Sequence, residues 1–184
     1  MKREEAIELL HRYIENENLR KHCYASEAVM RALAGRLGGD EEKWALAGLL
    51  HDLDVEMVNA DPKVHGLETA RILSEHGIDP DVVEAVKLHN TEATGIPRTT
   101  VFQHALAAGE TITGMITATT LVYPEKKLAS VKPKSVAKRM KDKNFAASVK
   151  REKIMECEDA GIPLDEFIRL SMAAMQEISD ELGL

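Results

Sequence analysis

The chain contains few aromatic residues, few cysteines and no long apolar run, and each shortage excludes a class of protein. Its seven aromatic side chains provide no platform for stacking the bases of a nucleic acid. Two cysteines, Cys23 and Cys157, are too few for a disulfide scaffold and fit a reducing cytoplasm. No apolar run reaches the roughly 18 residues of a membrane span, and the charged N-terminal stretch lacks the apolar segment of a signal peptide. We therefore expect a cytoplasmic protein with no membrane partner.

The hydrophobic content is nevertheless high enough for one substantial core. Hydrophobic residues make up 44% of the 184 positions, which is too many for a disordered chain. This length suits one domain and leaves no room for two large ones. We predict a single domain over residues 1–184, with a main part over about 17–115 and a basic loop with C-terminal helices over about 124–184.

Charge is distributed unevenly along the chain. The formal net charge of −7 argues against non-specific binding of a nucleic acid polymer. Residues 126–153, however, hold eleven of the 24 Lys and Arg residues and only two acids. This segment is either a solvated face or a surface that holds substrate phosphates. The candidate phosphate ligands are Lys126, Lys127, Lys132, Lys134, Arg139 and Arg151.

Apolar residues recur at spacings of three and four along most of the chain, which is the pattern of amphipathic helices. The segment WALAGLLH is apolar on nearly every side, which indicates a buried central helix. Asp79, Pro80 and Asp81 form a typical helix start, with a cap, a proline and an acid in the first turn. We predict an all-α bundle with helices over about residues 3–15, 18–37, 41–51, 62–76, 80–89, 99–122, 134–141, 145–160 and 163–182.

The segment 99–122 presents conflicting signals. Its second half, TITGMITATT, contains seven β-branched residues in ten positions, so propensity alone favours a strand. No other segment alternates between apolar and polar residues, so such a strand would have no partner. We therefore predict a buried helix in which tertiary packing overrides propensity.

Several histidines and acids stand where helices begin or end, and their chemistry suits a metal site. His51 and Asp52 directly follow the central apolar segment, where an adjacent imidazole and carboxylate can hold one cation from two sides. Burying this pair without a cation or strong partners would be costly. The wider set of candidate ligands is His22, His51, Asp52, His65, His89 and Glu110.

These residues lie in motifs that resemble the HD-domain metal-dependent phosphohydrolases. The resemblance covers about residues 17–115, in the segments LRKHCYASEAVMRALA, AGLLHDLD, KVHGLETARIL, AVKLHN and AAGETITG. It implies a helical bundle in which His22, His51, Asp52 and Glu110 form the core metal set. His65 and His89 match the additional histidines of subfamilies that hold two metals.

The chain departs from the family pattern at two places. Glu110 stands where relatives typically have Asp, and its longer side chain could bind the metal directly, bind it through water, or fail to reach it. The DLD sequence after His51 replaces the DIG of many relatives. Asp54 within it is predicted to be either a catalytic base beside Asp52, a supporting residue, or a solvated or capping acid.

The resemblance implies a hydrolase that cleaves a phosphomonoester or phosphodiester, with a nucleotide as the expected substrate, through metal-activated water. Mixed imidazole and carboxylate ligands suit one or two ions of Fe, Mn, Co, Ni or Zn. The alternative is a metal- or nucleotide-binding regulator in which Glu110 has relaxed the catalytic geometry. Neither the substrate nor the oligomeric state follows from these residues.

Overall fold

The computed structural model describes residues 1–184 as eleven α-helices and one 3₁₀ helix, with no strand, which confirms the predicted all-α class. None of the helices is both long and apolar enough to cross a membrane. The 3₁₀ helix covers Leu128–Ser130. The α-helices are α1 Arg3–Tyr13, α2 Glu17–Leu37, α3 Glu41–Leu50, α4 Leu67–Glu75, α5 Pro80–His89, α6 Thr91–Thr94, α7 Val101–Leu121, α8 Pro133–Met140, α9 Arg151–Met155, α10 Leu164–Glu177 and α11 Ser179–Leu182.

Helix α3 is the centre of the fold, as its apolar sequence predicts, and it packs closely against α2. Six of its ten residues are buried. Gly48 makes the close approach possible, because a side-chain carbon at this position would lie 2.5 Å from the carbonyl oxygen of Ser26 on α2. The contact fixes the end of α3, from which His51 and Asp52 follow directly.

Helix α7 confirms the prediction of a buried helix in the β-branched segment. Its threonine hydroxyls would be costly to bury unpaired. Thr111, Thr119 and Thr120 instead donate hydrogen bonds of 2.7–2.9 Å to carbonyl oxygens four residues earlier. The helix therefore satisfies its own polar side chains while its apolar residues pack against α2 and α5.

The predicted helix over 62–76 is wrong at its N-terminus, because α4 begins only at Leu67. Residues 62–66 form turns. The buried carboxylate of Asp54 accepts hydrogen bonds from the backbone nitrogens of Gly66 (2.8 Å) and Thr69 (3.1 Å), which caps α4 at that point. Gly66 has a φ of 93°, a left-handed conformation that glycine adopts at little cost.

The predicted helix over 145–160 is also wrong, because only α9, Arg151–Met155, is helical there. The preceding residues form turns that wrap around the Arg151 side chain. Its guanidinium donates to the carbonyl oxygens of Asp142, Phe145, Ala146 and Val149. The Arg151 side chain thus binds carbonyl oxygens that backbone N–H groups would bind in a continuous helix. The predicted helix over 163–182 is likewise interrupted, at Ile178.

Candidate metal centre

Five of the six predicted ligands converge from separate parts of the chain. His22 comes from α2, His51 and Asp52 follow α3, His65 precedes α4, and His89 ends α5. Asp52 is at the centre. Its Oδ1 lies 3.2 Å from Nε2 of His51, 3.1 Å from that of His65 and 3.5 Å from that of His89. Its Oδ2 lies 3.6 Å from Nε2 of His22.

The donors form two groups that share Asp52, and in each group the ligand atoms lie within 4.8 Å of one another. One group is His22, His51 and Asp52, and the other is Asp52, His65 and His89. Nε2 atoms face each other at 3.2 Å in the first group and 3.0 Å in the second. Imidazole nitrogens and a carboxylate are suitable ligands for divalent transition metals, so the donor set fits one or two such cations.

Backbone carbonyls orient two of the histidines. Nδ1 of His51 is 2.8 Å from the oxygen of Gly48, and Nδ1 of His89 is 2.5 Å from the oxygen of Val86. A carbonyl can only accept, so each Nδ1 carries the proton and each neutral ring directs an unprotonated Nε2 into the cluster. This arrangement is the usual way in which proteins fix the tautomer of a metal-binding histidine.

Helix α7 orients His22 through a hydroxyl group. Nδ1 of His22 lies 2.9 Å from Oγ1 of Thr113. Thr113 donates its only hydroxyl proton to the carbonyl oxygen of Glu110 at 2.7 Å, so Oγ1 accepts from His22. Nε2 of His22 is therefore unprotonated in the neutral ring and available to a cation. Thr113 is not among the predicted site residues, because no local motif distinguishes it from the other threonines of α7.

Asp54 lies behind His65, outside the two compact donor groups. Its Oδ1 accepts from Nδ1 of His65 at 2.7 Å, and its Oδ2 is occupied by the backbone of Gly66 and Thr69. The residue is fully buried. Both oxygens are thus committed to protein donors, and the role that this geometry supports is the orientation of His65. It is the supporting and capping alternative that the structure favours.

Burial and nearby charges give the histidines of the cluster different protonation states. Desolvation lowers the pKa of His51 and of His89, which keeps both rings neutral. Burial also opposes protonation of His65, but its hydrogen bonds to Asp52 and Asp54 outweigh that effect and raise its pKa to about 10. Burial acts against ionisation of Asp52, yet the surrounding histidines hold its pKa well below the usual range.

Glu110 lies at the edge of the cluster. Its Oε2 is 4.0 Å from Nε2 of His22, and its Oε1 is 3.4 Å from Nζ of Lys153. It belongs to neither of the two compact donor groups. Burial raises the pKa of its carboxyl, but the Lys153 ammonium opposes this, and the pKa stays below the usual value. Glu110 is thus an anion within reach of the first group and paired to a lysine.

The structure does not bring four of the six candidate phosphate ligands, Lys126, Lys127, Lys132 and Arg151, to the cluster. Lys126, Lys127 and Lys132 are exposed and follow the C-terminal end of α7. That end is about 16 Å along the helix axis from Glu110. The guanidinium of Arg151 is occupied by the four carbonyl oxygens described above, so it is a structural group rather than a free cation.

Two other lysines of the same basic segment do reach the site. Lys150 and Lys153 line an open groove of about 250 Å³ together with Ser148, His22 and Glu110. Lys150 forms an ion pair with Glu92, and Lys153 forms the pair with Glu110. The density of lysines in this segment predicted either a solvated face or a phosphate surface. The turns that precede α9 depend on the Arg151 contacts and have no sequence signature, so the approach of Lys150 and Lys153 could not be predicted.

A helical bundle in which four histidines surround one aspartate, with the His51-Asp52 pair at its centre, is an arrangement that could hold divalent metals. The chain belongs to the HD domain family, whose model matches residues 19–129, and the predicted resemblance is confirmed. It is 33% identical over 82 residues to ribonuclease Y 2 of Bdellovibrio bacteriovorus. That alignment covers 45% of this chain and only 16% of the relative's length. No solved structure matches.

Proposed function

We propose that this protein is a metal-dependent phosphohydrolase that cleaves a phosphomonoester or phosphodiester of a nucleotide. The observation that carries the proposal is the pair of donor groups sharing Asp52, in a chain of the HD domain family. The lysine groove beside His22 supports a phosphorylated substrate, because ammonium groups stabilise phosphate oxygens as point charges. A small phosphorylated molecule is the expected partner, rather than a nucleic acid polymer.

The metal ligands would be His22, His51 and Asp52 on one side and Asp52, His65 and His89 on the other. Glu110 is near enough to complete the first set, directly or through a water molecule. When bound, a divalent ion of Fe, Mn, Co, Ni or Zn lowers the pKa of water and neutralises charge on phosphate oxygens. The chain's own contribution is to hold four Nε2 atoms and one carboxylate so that they face a common position before a cation binds there.

The remaining polar groups bind and place the substrate. Lys153 and Lys150 stand where the groove opens onto His22, so they attract the phosphate to the edge of the cluster. Ion pairs with Glu110 and Glu92 hold both ammonium groups in place without a substrate. His51 and His89 are almost completely buried, so bulk water reaches the cluster only from the side of His22 and His65.

The test is a screen of purified protein against generic phosphoesters and nucleotides with added Mn, Co, Ni or Mg. We expect turnover that requires a metal and disappears in His51→Ala. The matched control is His76→Ala, because His76 is exposed at the end of α4 and its Nδ1 only caps the oxygen of Ile72. Absence of turnover with every metal and every phosphoester would contradict the proposal.

The second candidate function is a metal- or nucleotide-binding regulator. The position of Glu110 favours it, since this residue stands outside both compact donor groups and is paired with Lys153. Tight nucleotide binding without turnover in the same screen would support the regulator. Glu110→Asp is the informative variant, because restoring the shorter acid of the family pattern should then produce turnover.

A further inference from the structure

A second cavity lies on the other side of His22, between α2, α7 and the C-terminal turn. It has a volume of about 420 Å³, which is within the range of small-molecule sites. Its inner wall is built from small residues, Ala25 on α2 and Gly114 and Ala118 on α7. Leu182 and Leu184 form part of its outer wall. We call it the α2–α7 pocket.

The α2–α7 pocket adjoins the groove at the metal centre. His22, a ligand of the first donor group, lines both this pocket and the groove that contains Lys150 and Lys153. Gly114 also lines both. Thr113, which orients His22, forms part of the pocket wall. A phosphate held at His22 and Lys153 would therefore lie next to the pocket, with only His22 and Gly114 between the two cavities.

The polar groups of the pocket suit a hydroxylated ligand. Thr119 and Thr120 donate their hydroxyls within α7, whereas Thr117 has no such carbonyl partner and lines the pocket. The Lys21 ammonium stands beside Gly183, where a side-chain carbon would lie 3.1 Å from Nζ. No Asp or Glu side chain lines the cavity, so no acidic side chain there repels an anion.

We infer that the α2–α7 pocket binds the hydroxylated, sugar-sized organic group of the phosphate ester. The inference rests on the proposed function, because it takes the phosphate to lie at the metal centre. The Thr117 hydroxyl and the Lys21 ammonium hydrogen-bond the hydroxyl groups of the ligand, and the alanine wall packs against its carbon skeleton. The pocket thus selects sugar phosphates, including the sugar moiety of a nucleotide, over short alkyl phosphates.

The experiment compares the binding of inorganic phosphate, methyl phosphate and ribose 5-phosphate to the metal-loaded protein by calorimetry. We expect ribose 5-phosphate to bind about tenfold or more tightly than the other two, because only it fills the pocket. Ala118→Phe fills the pocket and should abolish that difference. Thr117→Val should reduce it, since the substitution removes the hydroxyl while keeping the shape of the side chain.

The matched control is Ala32→Phe. Ala32 is also half-buried on a helix and lines a groove, but that groove lies on α2 and α10 and contains no residue of the metal centre. This variant should keep the preference for ribose 5-phosphate. Equal binding of the three ligands by the wild type, or a preference that survives in Ala118→Phe, would overturn the pocket assignment alone. Failure of all three to bind, together with no turnover in the phosphoester screen, would overturn the proposed function as well.

Discussion

Each histidine of the metal centre is oriented by a partner outside the donor cluster. Gly48 and Val86 supply carbonyl oxygens, Thr113 supplies a hydroxyl oxygen, and Asp54 supplies a carboxylate. The carboxylate differs from the others because it is charged. Together with Asp52, it raises the pKa of His65 to about 10, so this ring holds an extra proton near neutral pH when no cation is bound.

Metal binding at the His65 side should release a proton at pH 7–9. The pKa of His65 is raised to about 10 in the folded protein, so the ring is protonated at these pH values and must lose a proton to bind a cation. Affinity at this position should rise with pH until about pH 10. Calorimetric titration of chelator-treated protein with Mn²⁺ or Zn²⁺, in buffers of different ionisation enthalpy, counts the protons released.

Asp54→Asn is the control for this proton. It removes one of the two carboxylates that stabilise the charged ring, so the pH dependence should move to lower pH. The raised pKa of His65 also makes the folding stability of the metal-free protein depend on pH. The metal-free protein gains stability from His65 that is fully present below about pH 6.5 and lost as pH rises toward 10. An identical pH dependence in the wild type and in Asp54→Asn would show that the pair does not control His65.

The sharing of Asp52 predicts how metal content responds to substitution. The wild type should bind two equivalents under saturating conditions, since cations about 3.5–4 Å apart can share one carboxylate. His65→Ala and His89→Ala should each lose about one equivalent and keep the other, whereas Asp52→Ala should lose both. Elemental analysis of folded, desalted variants measures this. A wild type with one equivalent, retained fully in both histidine variants, would mean a mononuclear centre.

At the scale of helices and turns, the sequence predicts those elements whose stability is local or whose burial is extensive. Helix α5 follows from its cap and proline, and α7 follows from the lack of strand partners despite its threonines. The errors occur where a distant side chain replaces backbone pairing. Asp54 caps α4 and Arg151 satisfies the turns before α9, and no local pattern reveals either contact.

The same limit applies to the metal centre. His22, His51, Asp52, His65 and His89 were predicted to lie together because imidazoles and carboxylates are recognisable ligands, and the structure brings them together. The orienting role of Thr113 and the approach of Lys150 and Lys153 could not be predicted, because both depend on how α7 and α9 pack.

Arg98 connects the end of α5 to the segment after α9, and its replacement should lower the stability of the protein. Its guanidinium binds the carbonyl oxygens of Leu88 and His89 at the end of α5 and pairs with Glu156 beyond α9. Its side chain is only 7% exposed. Arg98→Met should therefore destabilise the protein by about 3 kcal/mol, because it leaves a partly buried carboxylate without its main partner.

Urea unfolding of the metal-free protein measures the cost of Arg98→Met. Arg36→Met is the matched control, since Arg36 also pairs with a glutamate, Glu166, but both partners are more than 40% exposed. It should change stability little, because water screens exposed pairs. Equal losses in the two variants would mean that Arg98 does not hold α5 and α9 together.

At the scale of the whole molecule, charge is separated so that the acidic chain presents a small basic area beside its metal centre. Residues 126–153 carry a formal charge of about +9 within a chain of net charge −7. Of the basic residues in this segment, only Lys150 and Lys153 line the groove at His22. The other basic residues face solvent or hold turns.

Lys153 should therefore matter for the substrate, and the exposed lysines should not. Lys153→Gln is expected to raise KM about tenfold and to weaken the salt dependence of kcat/KM, because it removes a charged contact to phosphate. The triple variant Lys126→Ala, Lys127→Ala, Lys132→Ala is the control with the larger charge change. It should leave KM and metal content unchanged. A large effect of the triple variant with none of Lys153→Gln would place the phosphate elsewhere.

Helix α7 has a further consequence, because one stripe of it runs from the metal centre along the α2–α7 pocket. Glu110, Gly114, Ala118 and Leu121 follow at spacings of three and four, and each turn advances about 5.4 Å. If the α2–α7 pocket holds the organic group of the substrate as proposed, the residues at positions 114, 118 and 121 limit the length of that group. Larger residues there should shorten the longest ester that binds, in steps of one helical turn, while every metal ligand stays unchanged.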